Sequence, residues 1–194
     1  MTKTMLTDTQ LLTGNLFNHC LSTYQHSLRV GDELYRFASY LNLENIESVY
    51  ILGVLHDIGK LNIPHVLLNK KDRLTEKEFK HIQLHTEYGE RIVEGLKHLP
   101  NTYSLIVKFH HENFDGTGYY GLIGKEIPLL ARMIRIIDSY DTMLYGRIYQ
   151  IPRTQTEVIQ ELFTLRGKQF DPELVTDFLS FLKQRYSIQL QYGT

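Results

Sequence analysis

Apolar residues recur along this chain at helical spacing and almost nowhere at the two-residue alternation of a half-buried strand. Leu16, Leu21, Leu28, Leu34, Phe37 and Leu41 fit one or two amphipathic helices, and Asn42 and Asn45 then mark a turn. The mostly apolar run from Ile46 to His56 predicts a short buried helix, broken by Asp57-Ile58-Gly59-Lys60. Ile63 to Leu68 fits a single helical turn, with Pro64 tolerated near its start. Thr75-Glu76-Lys77-Glu78 has the form of a capping box. It predicts a helix that runs past His85, bends near Gly89 and ends about Leu96. A further helix is expected from Tyr103 to His111. Glu112 to Ile127, with Gly116, Gly118, Gly121 and Gly124, reads as a loop. Pro128 opens a strongly apolar helix to about Leu144. Two more follow, near Thr154–Leu165 and Pro172–Tyr186, the latter with Asp171 as the cap before proline. The fold class is all-α, an irregular helical bundle.

Composition narrows the picture modestly. At 194 residues and 42% hydrophobic, the chain reads as a single domain over 1–194, with 1–21 as a short helical preface. Lys and Arg number 21 against 22 Asp and Glu, so no field of one sign recommends a nucleic-acid polymer or a membrane. The polar N-terminus lacks the apolar core of a signal peptide, and no apolar run approaches the roughly 20 residues that span a bilayer. The expectation is a cytoplasmic protein. The lone Cys20 supports neither an intramolecular disulfide nor a thiolate metal site by itself. The 9 histidines favour nitrogen and oxygen ligation if a metal is bound.

Several of those histidines stand where helices end. His56-Asp57 closes the apolar helix SVYILGVL, where an ionised carboxylate needs a partner such as a cation. His110-His111-Glu112 closes YSLIVKFHH before the glycine-rich loop. Asp138 and Asp141 lie three residues apart on one face of LLARMIRIIDSYDTML, where they repel unless a cation or donors intervene. Each has a plainer reading: a solvated helix end for the first, a surface pair near a helix C-terminus for the second, and ion pairs with Arg135 or Arg147 for the aspartates. His26 and His85 are single helical histidines, and His19, His65, His81 and His98 have surroundings that demand no partner.

Taken in order, the series His26, His56-Asp57, His85, His110-His111 and Asp138 resembles the HD superfamily, and more closely its HD-GYP phosphodiesterases. Asp57-Ile58-Gly59-Lys60 resembles that family's D-I-G-K. His110-His111-Glu112, Asp115-Gly116 and Gly118-Tyr119 resemble its HHE..DG.GYP loop. Ala131-Arg132, Asp138, Asp141 and Gln169-Phe170-Asp171-Pro172 continue the match, which covers roughly Ser22 to Leu182. The resemblance implies two divalent metal ions, iron or manganese before nickel or zinc. His26, His56 and Asp138 would hold one, His85, His110 and His111 the other, and Asp57 would bridge them. It further implies a water activated by both ions, Lys60 and Arg147 on a phosphate, Tyr119 beside the substrate, and Asp141 orienting a ligand from behind. The implied substrate is cyclic di-GMP. Another cyclic dinucleotide or nucleotide, or a catalytically weak cyclic-dinucleotide-binding module, are the alternatives. A homodimer or a signalling protein is the further partner left open.

Three departures qualify the match. Tyr120 stands in place of the GYP proline, which implies a looser loop or one shaped for another ligand. Ile148 replaces a proline between Arg147 and Tyr149. Ser22 stands where some members carry a glutamate that helps hold a third metal, so two ions are expected.

Overall fold

In a computed structural model, which describes residues 3–146 and 151–192, the periodic stretch around Leu16 to Leu41 divides at Cys20. Cys20 is extended (φ −154°, ψ 96°) and separates α1 (Lys3–His19) from α2 (Leu21–Tyr40). Asn42 and Asn45 both adopt positive φ, 54° and 53°, a conformation asparagine tolerates better than most residues, and they turn the chain into α3 (Ile46–Leu55). Gly31 and Gly53 let α2 and α3 touch backbone to backbone: a Cβ on Gly53 would lie 2.8 Å from Gly31 Cα. That close crossing brings His26 of α2 alongside His56, the residue capping α3.

The break after His56 is a short 3-10 helix, Ile58–Asn62, followed by the single turn α4 (His65–Leu68). The capping box forms as expected, with Thr75 and Glu78 bonded reciprocally at the start of α5 (Glu76–Gln83). The long helix read from the sequence is in fact two. It breaks at Leu84 (φ −60°, ψ −14°), whose N–H reaches back only to His81 O, and α6 (His85–Glu94) begins at the next residue. Gly89 does not bend α6. It gives room to the 3-10 helix, since a Cβ on Gly59 would lie 1.9 Å from His85 O and 2.4 Å from Gly89 N.

After α7 (Thr102–Phe109), residues 112–127 form the expected loop, which holds a small 3-10 turn at Gly124–Glu126. Then follow α8 (Leu129–Tyr145), α9 (Gln155–Thr164) and α10 (Pro172–Tyr192), the last longer than the sequence suggested. Asp171 Oδ1 caps α10 by accepting from Glu173 N at 2.9 Å and Leu174 N at 3.3 Å. Its other oxygen meets Arg132 of α8, whose Nε also donates to Ile127 O at 2.8 Å. This clamp ties the end of the loop to the starts of α8 and α10. Among the described residues the only β-type pairing is an isolated bridge between Arg166 and Phe170.

The core gathers the inner faces of α2, α3, α7, α8 and α10 around Leu34, Phe37, Leu52, Val107, Ile134 and Phe178. Phe178 meets the rings of Phe37 and Tyr140 edge-on at 5.1 and 5.2 Å. Among the described residues no helix is long and apolar enough to cross a membrane.

Candidate metal centre

Five segments of this core end or turn toward one point. Three histidines there share a local arrangement that their positions at helix turns produce. His56 Nδ1 donates to Gly53 O at 2.7 Å, His85 Nδ1 to Ile82 O at 2.7 Å and His110 Nδ1 to Val107 O at 2.6 Å. Each acceptor is the carbonyl three residues earlier. A carbonyl can only accept, so each ring carries its proton on Nδ1 and turns the Nε2 lone pair inward. His26 reaches the same state through a side chain: its Nδ1 donates to Asp141 Oδ2 at 2.7 Å. Asp141 is itself gripped by Arg29, Nε to Oδ1 at 2.7 Å and Nη2 to Oδ2 at 2.9 Å. The Arg29 guanidinium in turn lies 4.3 Å from the centroid of the Tyr145 ring.

Asp57 occupies the middle. Its Oδ2 is 3.5 Å from His56 Nε2 and 3.8 Å from His26 Nε2, while its Oδ1 is 3.3 Å from His85 Nε2 and 3.9 Å from His110 Nε2. Two groups of candidate ligands result, His26-His56-Asp57 and Asp57-His85-His110-His111, with Asp57 common to both. Asp138 stands between them, Oδ1 3.0 Å from His26 Nε2 and Oδ2 4.0 Å from His111 Nδ1. His56 Nε2 and Asp57 Oδ1 are buried and make no hydrogen bond, a costly condition that a cation between the groups would relieve. The donor set, imidazole nitrogen and carboxylate oxygen without thiolate, suits a divalent transition metal.

Charge states agree with that use. Burial pushes the Asp57 carboxyl up, but Lys60, His56 and His85 outweigh it and hold the group well below its ordinary value. Burial lowers His85 to about 4, against an ordinary 6.5, and Lys60 adds to the effect. His110 and His111 are likewise held well below the usual range, first by burial and then by neighbouring imidazoles. These rings are therefore neutral at neutral pH, the form that ligates metal. Lys60, itself buried, leans back from the 3-10 helix to place Nζ 2.5 Å from Asp57 Oδ2.

The glycine loop is pinned to the centre by Glu112, the residue after the histidine pair. Its carboxylate accepts from Tyr120 N at 2.7 Å and Leu122 N at 2.8 Å. Gly118 packs against it, where a Cβ would meet Glu112 Cα at 2.5 Å. The looser loop expected from Tyr120 is not what the structure shows. Tyr120 supplies an N–H that proline lacks, and its hydroxyl sits 2.7 Å from Thr86 Oγ1, next to His85. Tyr119 lies tilted against His111, ring centroids 4.9 Å apart, and lines a cleft of about 440 Å³ with His111, Asn113, Arg135, Asp138 and Gln169.

All seven candidate ligands thus converge, as do Lys60, Asp141 and Tyr119. Arg147 lies outside the described residues. The four histidines set aside stay apart: His19 bonds Ile63 O, His98 faces Asp8, and His65 and His81 are exposed. Asp141 pairs with Arg29 rather than with Arg135, the one of the two arginines considered for it that is described. Sequence reasoning gave no role to Arg29 or Thr86, weighed Arg135 only as an ion-pair partner of the aspartates, and quoted Glu112 only as part of the motif. Of these only Glu112 carried a signal, its place directly after the His pair.

A family model described as the HD domain matches residues 14–174. A cyclic di-GMP phosphodiesterase of Thermotoga maritima is 34% identical over 168 residues, 84% of this chain and 46% of that protein. A 3'3'-cGAMP-specific phosphodiesterase of Vibrio cholerae is 35% identical over 157 residues, 79% of this chain and 30% of that protein. The chain therefore spans less than half the length of these relatives. The fold also matches the PgpH HD domain of L. monocytogenes, solved with cyclic-di-AMP, at TM-score 0.68 and 20% identity, covering 94% of this chain and 97% of that one. A HDG"Y"P protein from Bdellovibrio bacteriovorus matches at TM-score 0.63 and 20% identity over 81% of this chain and 51% of that one.

Proposed function

The chain belongs to the HD-domain family, and on that premise we propose that it is a metal-dependent phosphodiesterase that opens a cyclic dinucleotide, cyclic di-GMP foremost. One observation carries the reading: the two oxygens of Asp57 face two separate sets of inward-turned imidazoles. A carboxylate so placed would be shared between cations held by the two sets. Its named relatives act on cyclic di-GMP and on 3'3'-cGAMP, which makes 3'3'-cGAMP the second substrate to be considered.

His26, His56 and Asp138 would hold one ion, and His85, His110 and His111 the other. Such a pair, iron or manganese, supplies an activated water and a clamp on the diester. The protein's own groups do the rest. Arg29 and Asp141 keep the His26 ring turned inward, with its proton on Nδ1. Lys60 stands beside Asp57 and offers its ammonium to the scissile phosphate, where negative charge builds as the ester is attacked. Arg147 shares that task, and Tyr119 offers a ring face to a base from the wall of the cleft.

The test combines metal analysis of anaerobically purified protein with hydrolysis of cyclic di-GMP, 3'3'-cGAMP and cyclic di-AMP. His56→Ala and Asp57→Ala should lose metal and activity together, whereas His65→Ala should keep both. Absence of turnover by metal-loaded protein on all three substrates would refute the proposal.

A further inference from the structure

The polar helix α5 carries a phenyl ring that it does not bury. No residue of this segment, EKEFKHIQ, is buried, and Phe79 is 45% exposed. Its exposed surface belongs to the 440 Å³ cleft, which Phe79 lines together with His111, Tyr119 and Asp138. There it meets the Tyr119 ring nearly at right angles, centroids 6.4 Å apart and planes at 87°. Tyr119 lies in turn against His111, a candidate ligand. The three rings thus step outward from the histidine cluster into the cleft, whose size falls within the range of small-molecule sites, about 300–1,000 Å³.

The helix that bears this ring is held at both ends. Ile82, one turn after Phe79, supplies the carbonyl that accepts from His85 Nδ1 at 2.7 Å, and Gln83 O accepts from Thr86 Oγ1 at 2.9 Å. At the other end Lys70 Nζ donates to both oxygens of Glu78, at 2.8 and 2.7 Å, while Glu78 closes the capping box on Thr75. Lys70 and Thr75 hold the Glu78 carboxyl at about 2, so this grip is present throughout the neutral range. Phe79 therefore stands in a fixed relation to His85 and to the centre behind it.

An apolar ring left half open in a cleft gains by being covered. A cyclic dinucleotide brings two nucleobases, each flat and apolar on its faces. Rings at right angles form a corner that takes a flat heterocycle face-on against one wall and edge-on against the other, both favoured geometries for aromatic pairs. We propose that Phe79 is a substrate-binding residue that packs on a nucleobase of the cyclic dinucleotide, closing with Tyr119 an aromatic corner beside the candidate metal centre. The inference rests on the cyclic-dinucleotide reading above. Every base has a π-face, so the corner adds affinity without choosing guanine over adenine.

The chain has no tryptophan, so Phe79→Trp keeps an aromatic wall and places a single indole in the cleft. The experiment compares metal-loaded parent, Phe79→Ala, Phe79→Leu and Phe79→Trp on cyclic di-GMP and 3'3'-cGAMP, with bound metal measured in each. Loss of a base–aromatic contact weakens binding roughly 5- to 150-fold, so Phe79→Ala should raise KM about tenfold, with kcat and metal content nearly retained. The rise should be equal on each substrate that the parent cleaves. Phe79→Leu, which has bulk without a ring, should stay weaker than the parent. Phe79→Trp should bind near the parent level, and its emission should change when metal-loaded protein is mixed rapidly with cyclic di-GMP; this variant also serves if alanine impairs folding. An unchanged KM in Phe79→Ala, a leucine variant equal to the parent, or an indole emission unmoved by saturating cyclic di-GMP would each overturn the base contact. Loss of metal from Phe79→Ala would overturn it too, by assigning the ring to holding α5 and His85. A parent that cleaves no cyclic dinucleotide defeats the substrate reading and this inference together. A parent that cleaves cyclic di-GMP beside an indifferent Phe79→Ala defeats the role of Phe79 alone.

Discussion

At residue scale the most informative position is Tyr120, because it breaks the resembled motif and the structure shows what replaces the proline. Two effects compete. Proline would restrict the unfolded chain, worth about 0.4–1 kcal/mol where its geometry fits. It would also delete the N–H that Glu112 accepts and the hydroxyl that meets Thr86. A hydrogen bond to a charged group contributes about 1.5–3 kcal/mol, and a neutral one about 1 kcal/mol. Tyr120→Pro should therefore lower stability by roughly 1.5–3.5 kcal/mol net, and Tyr120→Phe by about 1 kcal/mol, both read from denaturant melts. A proline variant more stable than the parent would show that the loop does not depend on the Glu112 clamp. None of this was legible in the sequence. Proline rigidity is a local property of one residue, whereas the clamp joins residue 112 to the backbone at 120 and 122 and appears only once the loop closes on itself. The candidate ligands were legible as an ordered series: His56-Asp57, His110-His111 and Asp138 stand out at helix ends or on an apolar face, whereas His26 and His85 joined them only through the family resemblance.

At element scale the sequence located nearly every helix, because capping boxes, Asn turns and the Asp171-Pro172 start are local signals read in order. It failed at the junction of α5 and α6. Leu84 is an ordinary helix former, and what breaks the helix there is tertiary, since the 3-10 helix after Asp57 presses its backbone against α6 at Gly59 and Gly89. Asp57 and His85 stand on the two sides of that contact, so its closeness sets their separation. The two glycines should respond unequally to alanine. At Gly59 the added methyl meets the His85 carbonyl and the Gly89 amide, backbone that cannot step aside; at Gly89 it meets first a Val107 methyl that can shift. Gly59→Ala should cost at least the 1–3 kcal/mol typical of overpacking and lower metal content, while Gly89→Ala should do less of both. Melting temperature and bound metal measured together decide it, and the reverse order would disprove the backbone contact as the element that positions His85.

At the scale of the whole molecule, candidate ligands from α2, the end of α3, α6, the end of α7 and α8 meet at one point, so metal binding there would be coupled to folding. The direction of the pH effect follows from His85. Its folded value of about 4 lies below the ordinary 6.5 because burial disfavours the charged ring. Between those values the unfolded chain binds a proton that the metal-free folded protein refuses, and stability rises with pH wherever the unfolded state binds more protons. Metal-free protein should thus lose stability as pH falls from about 6.5 towards 4, and His110 and His111 act in the same sense. Bound metal should add to stability at neutral pH. A ligand at a hundred times its dissociation constant contributes about 2.7 kcal/mol, and 1 kcal/mol moves the melting point of a protein of this length by roughly 2–4 °C. Removing the metal with a chelator at pH 7.5 should therefore lower the melting temperature by about 5–10 °C. The same treatment should shift His65→Ala equally and leave Asp57→Asn almost unmoved, because His65 is exposed far from the donors while Asp57 is common to both groups. An Asp57→Asn protein that still gains the full stabilisation from added metal would show that the carboxylate does not join the two sets.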